Sequence, residues 1–191
     1  MPNDIARATI PQLIPLVEQL TEAITAQVGA LGQNQLNWKP NATEWSVGQQ
    51  IEHVVIANRS YFPMFEQIVA GTRTPALRER LPLAPTLFGR LLIASLDPER
   101  LRKVRTAKLF EPTLSVVEPS IVTAFTRQQQ RLVELMHGCA SLDAARIIIT
   151  SPAVSFITYS LLDAFRILVV HEQHHFASTA KLLRLPEFPS A

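Results

Sequence analysis

Three histidines and a glutamate fall within five residues, His171-Glu172-Gln173-His174-His175, and imidazoles in that density are side chains suited to a transition metal. On a helix His171 and His175 stand one turn apart, with Cβ atoms about 5–6 Å from each other, so two ring nitrogens can meet one ion at about 2.0–2.1 Å. His174 lies about 100° round the helix from His175, in a row with Asp163, Ile167, Val170 and Lys181; His171 with His174 is the geometric alternative. Read literally, the stretch is also H-E-x-x-H, the zinc-protease pattern in which Glu172 would be the general base. Zincins add a ligand downstream, yet only 16 residues follow His175, with no histidine and Glu187 as the one side-chain carboxylate. The protease is therefore the weaker alternative, and Glu172 reads as a surface residue or a support to the ligands.

A third ligand is expected from another helix that faces the core. His53 is the candidate, because it sits among apolar residues in Ile51-Glu52-His53-Val54-Val55. The competing reading makes His53, His171 and His175 separate core histidines, each bonded to a carbonyl. No general base stands out: Glu52 and Glu172 adjoin His53 and His171 and so point about 100° away. Asp163 and Glu134 are further candidates, each equally readable as a solvated residue. Trp45, Trp38 and Phe110 either line a pocket or pack under loops, with packing favoured for Trp45. Lys108 and Arg105 are candidates for holding an anionic substrate or a thiol cofactor. Cys139, without a histidine partner placed by sequence, reads as a structural thiol, and His137 as a charge at a helix C-terminus.

Four amphipathic segments must position these groups. Leu13, Leu16, Val17, Leu20, Ile24, Val28 and Leu31 form one stripe over residues 11–31. Ser46 and Gln49 read as a capping box opening a second helix that carries Val47 through Phe65, with His53 in its second turn. A third helix is predicted from about Ser120 to His137, ended by Gly138, and a fourth from about Thr158 to Arg184. Residues 71–119 hold six of the 14 prolines and form a long connection, with a short helix predicted in RLLIASLDPERLRK. AARIIIT is the only strand-like run, and one strand makes no sheet. The pattern predicts an all-α fold: a four-helix bundle with a long Pro-rich, basic crossover between helices 2 and 3.

At 191 residues and 47% hydrophobic content the chain can bury one core, so residues 1–191 are read as a single domain. One cysteine allows no internal disulfide, and the N-terminus shows no signal pattern, which points to the cytoplasm. The longest apolar runs, LFGRLLIASL and FRILVV, are too short or interrupted to cross a membrane. The net charge of +2 conceals a basic middle, since residues 71–110 carry nine Lys/Arg against three Asp/Glu. That segment lacks interleaved aromatics, and no nucleic-acid partner is expected.

The combination of NWKPNATEWSVGQQIEHVV, SFITYSLLDAFRILVVHEQHHFAST and the run Lys108-x-Phe110-x-Pro112 resembles the DinB/YfiT-like superfamily of metal-dependent enzymes over nearly the whole chain. The resemblance implies a four-helix bundle in an up-down-down-up order and a divalent metal held by His53, His171 and His175. It also implies either a hydrolase or an S-transferase using a low-molecular-weight thiol, acting on a small-molecule substrate. Zinc, nickel, manganese and iron all suit three imidazoles. The rival class is a non-catalytic bundle, an interaction or stress-response protein, and LFGRLLIASL is expected to make either a homodimer contact or a lid over the pocket.

Overall fold

The computed structural model describes residues 2–80, 108–113 and 116–190 and is mostly helical. The predicted short helix in RLLIASLDPERLRK, the LFGRLLIASL contact, Arg105 and the middle of the basic crossover lie outside the described residues. A short helix α1 (Pro2–Ile5) precedes α2 (Ile10–Val28), whose start is marked by the Thr9 N–H donating to Gln12 Oε1 at 2.8 Å. The stripe read from sequence is the inner face of α2, with Leu13, Val17, Ile24 and Val28 fully or almost fully buried. After α3 (Gln33–Asn37), the predicted capping box opens α4 (Val47–Arg59): Gln49 N–H donates to Ser46 Oγ at 3.2 Å, and Ser46 N–H to Gln49 Oε1 at 3.3 Å.

The second predicted helix is in fact two. α4 stops at Arg59 and α5 spans Phe62–Val69, because Pro63 has no N–H to donate to the Arg59 carbonyl and its ring would clash there. Gly71, at φ +66°, turns the chain away after α5. The connection opens with a 3₁₀ turn at Leu77–Arg80 and closes with another at Lys108–Phe110. α6 runs Ser120–Cys139, two residues past the predicted end. Gly138 is a contact glycine inside the helix rather than its terminator: a Cβ there would come within 2.8 Å of Val69 Cγ2.

The strand-like run also finds a partner. β1 (Ile148–Thr150) pairs antiparallel with β2 (Thr158–Ser160), Ile149 opposite Tyr159. The last helix, α7, therefore starts at Leu161 and ends at Leu183, and Ser160 caps it by accepting from Asp163 N–H at 3.0 Å.

α2 and α4 each pack against both α6 and α7, α5 packs against α6, and α1 against α7. The apolar interior is divided. One cluster contains Leu13, Val17, Tyr61, Phe65, Leu132, Phe165 and Val170; the other contains Ile24, Val28, Ile51, Val54, Phe125, Phe176 and Leu182. Along α4, α6 and α7 the two are separated by buried polar side chains: Asn58, Gln128 with Gln129, and Glu172 with its histidine neighbours. The helical fold thus carries a polar layer through its middle, at the level where the histidines meet.

Candidate metal centre

α4 supplies His53 and α7 supplies His171 and His175, and their ring nitrogens form one group within 4.8 Å that can hold a metal ion. His171 Nε2 lies 2.9 Å from His53 Nε2 and 3.1 Å from His175 Nε2. The outer nitrogens fix the tautomers. His53 Nδ1 sits 2.6 Å from the Phe110 carbonyl oxygen, which only accepts, so the proton is on Nδ1 and Nε2 presents a lone pair. His175 Nδ1 meets Gln50 Oε1 at 2.5 Å with the same result.

Two lone pairs therefore point at His171 Nε2, and one proton on that atom can satisfy only one of them fully. An ion about 2.1 Å from two nitrogens at roughly a right angle places them about 3.0 Å apart, which is the observed spacing. The donor set fits a divalent transition metal. Burial disfavours imidazolium at all three positions: His53 is held below its ordinary value by desolvation, offset by the Phe110 carbonyl bond, with His174 lowering it further. His171 and His175 lie well below it, first from desolvation and then from repulsion by the neighbouring histidines. Neutral imidazole is the form a metal binds.

Trp45 forms a wall of this centre instead of packing away from it. Its ring lies 4.9 Å from that of His53 and 6.1 Å, stacked, from that of His175. The same tryptophan lines a cleft of about 330 Å³ together with Lys39, Thr43, Glu44, Gln49 and Glu111. Trp38, by contrast, packs edge-on to Phe188 at 5.5 Å.

The acidic candidates are all committed elsewhere. Glu172 is neither a surface residue nor a base aimed at the histidines: it is 0% exposed, and its Oε1 accepts from Asn58 Nδ2 at 2.5 Å and Gln129 Nε2 at 2.8 Å. Burial raises its carboxyl to about 7, against the lowering effect of those two amides. The H-E-x-x-H reading loses its base by this geometry. Glu52 is buried and accepts from Thr113. Asp163 is buried and pairs with Arg166 at 2.9 Å, while Glu134 is exposed and pairs with Arg131 at 2.8 Å.

His174 is half-buried beside His175, with ring centroids 5.4 Å apart, and does not belong to the converging group. His137 and Lys108 are exposed. Cys139 is fully buried and burial raises its thiol to about 11, so it stays protonated and inert. Sequence reasoning missed Gln50, Asn58, Gln128 and Gln129. Gln50 was legible, because a residue three before His53 shares its helix face; the role of the Phe110 carbonyl carries no side-chain signal at all.

No curated protein and no solved structure matches the chain. The family model of the DinB superfamily matches residues 16–178, and the chain belongs to that superfamily.

Proposed function

We propose that this protein is a divalent-metal-dependent enzyme whose ligands are His53, His171 and His175. The observation that carries the reading is the convergence of three Nε2 atoms from two helices, two of them fixed as lone pairs by Phe110 and Gln50. Among the described residues the group contains three ligand side chains, which leaves coordination positions for solvent or substrate. When bound, a divalent ion supplies Lewis acidity, acidifying a water or a thiol placed beside it. Because the three imidazoles are neutral, the centre keeps the full charge of the ion and is matched to an anionic ligand such as a thiolate or carboxylate.

The reaction is either transfer of a low-molecular-weight thiol or hydrolysis of an ester or amide, with a small molecule entering by the cleft beside Trp45. Lys39, Glu44 and Glu111 on that cleft supply charged contacts for a polar substrate. The chain is a single DinB-like domain over residues 1–191, an up-down-down-up four-helix bundle with its Pro-rich crossover between the second and third long helices, and it works in the cytoplasm. No helix among the described residues is long and apolar enough to cross a membrane.

The test reconstitutes purified protein with zinc, nickel or manganese and assays nitrophenyl-ester hydrolysis beside thiol addition to chlorodinitrobenzene. One activity is expected to require the metal and to vanish in His175→Ala. Equal rates with and without metal in both assays would refute the enzyme reading.

A further inference from the structure

Resting on the assignment of His53 as a ligand, we propose that Glu52 is a positioning residue, which holds the Phe110 carbonyl in register with His53 by gripping Thr113. Glu52 is 5% exposed, and its carboxylate turns away from the three histidines toward the segment that follows the 3₁₀ turn at Lys108–Phe110. There Oε1 accepts twice from one residue, from Thr113 N–H at 3.2 Å and from Thr113 Oγ1 at 2.8 Å. His53, the next residue on α4, donates from Nδ1 to Phe110 O at 2.6 Å. One turn of α4 thus holds a four-residue stretch, 110–113, at both ends.

The geometry gives each contact a separate task. The Phe110 carbonyl selects the His53 tautomer with its lone pair on Nε2, the atom facing His171 at 2.9 Å. The segment is otherwise lightly held among the described residues: Leu109, Glu111 and Thr113 are exposed, Phe110 and Pro112 are half-buried, and the Phe110 ring meets that of His53 edge-on at 6.4 Å. The grip of Glu52 supplies the missing constraint, and a carboxylate is the group for it because a charged acceptor takes two donors strongly at once. Among the described residues Glu52 Oε2 has no hydrogen-bond partner, so the polar contacts of this side chain there are those to Thr113. This explains an acid beside a ligand histidine without making it a base.

The test compares wild type with Glu52→Ala, Glu52→Gln and Thr113→Val. Zinc affinity is read by competition with a chromophoric chelator, thermal stability by circular dichroism, and the His53 tautomer by long-range ¹H–¹⁵N NMR on metal-free protein. Loss of such an outer contact typically costs 10–100-fold in metal affinity. Glu52→Ala is expected to lose about that much and to shift His53 out of the single Nδ1–H tautomer. Glu52→Gln keeps one acceptor oxygen and is expected to recover most of the loss, and Thr113→Val, which keeps the backbone N–H, to lose less than about tenfold. A folded Glu52→Ala with wild-type affinity and an unchanged tautomer would overturn the proposal. If that variant does not fold, Thr113→Val decides: reduced affinity with an unchanged melting temperature supports the grip, and unchanged affinity and tautomer refute it. If wild type binds no zinc, the ligand assignment fails and the NMR arm still judges the grip. A tautomer fixed in wild type and released in Glu52→Ala would uphold it, and the same tautomer in both would not.

Discussion

Two adjacent residues of α7 face opposite environments. His171 turns to a cluster whose Nε2 atoms converge, while Glu172 turns to a nest of amides in which Glu172 Oε2, Asn58 Oδ1, Gln129 Oε1 and Gln128 Nε2 are buried without partners among the described residues. About two helix turns toward the start of α7 the interior is apolar and closely packed, as in the 4.6 Å contact of the Phe65 and Phe165 rings. An apolar core stabilises through every atom it buries, whereas a buried polar group costs free energy unless it is bonded. A helical fold that interrupts its core with a polar layer therefore sacrifices stability at that level, and the sacrifice is coherent if the layer holds an ion and the helices that present it.

The comparison breaks first in the apolar part. Phe165→Ala should destabilise by about 3–5 kcal/mol, measured by urea unfolding, while the folded fraction keeps its metal. If it instead costs less than the polar substitutions below, the core is not where stability resides. Glu172→Ala removes the acceptor of Gln129 Nε2 and leaves Asn58 Nδ2 only its longer contact to Gln128 Oε1, at 3.4 Å, and should cost roughly 1–3 kcal/mol by the same measurement, again with metal stoichiometry unchanged.

Acid should act on the polar layer alone. In metal-free protein the unfolded chain protonates histidine near its ordinary value of about 6.5, whereas His53, His171, His174 and His175 are all lowered by burial in the fold. The unfolded state then binds more protons below that pH, so stability falls on acidification from about 6.5 downward. Glu172 acts in the opposite sense, since its raised carboxyl takes up a proton in the fold between about 7 and the ordinary value of 4.5. One such group against four lowered histidines leaves the net sign unchanged. Urea titrations from pH 7.5 to 5.5 check this, and a metal-free stability that rises on acidification would contradict it. The smallest effect concerns Cys139: with its thiol near 11, iodoacetamide at pH 8 should leave it unmodified until urea is added. Rapid alkylation of the folded protein would show a looser core than the one described.

Much of this was legible before the structure, and the remainder had identifiable reasons. Periodicity placed α2 and α6 within a few residues, and the Ser46–Gln49 box located α4 to the residue. The break after Arg59 was signalled by Pro63, outweighed there by a continuous apolar pattern. The hairpin escaped because Thr158-Tyr159-Ser160 reads equally as the first turn of a long helix; only the Ser160-x-x-Asp163 cap separates the two. Of the site, the three histidines follow from spacing and from resemblance, since imidazoles one turn apart have few other purposes in a core. Gln50 shares the helix face of His53 and was within reach, but the other supports do not follow: Asn58, Gln129 and a main-chain carbonyl are common groups whose roles arise only when distant elements come together. The surface alternative for Glu172 fails for the same reason, because a carboxylate is expected at a surface until its amide partners are seen.

The central claim is that α4 and α7 share one ion. Elemental analysis by inductively coupled plasma mass spectrometry on tag-free wild type, His53→Ala and His175→Ala tests it most directly. The account predicts close to one metal per chain in wild type and almost none in either variant, with helical content retained in all three. A wild type that stays metal-free after reconstitution with zinc, nickel and manganese would contradict it, as would a His53→Ala variant that keeps its full complement.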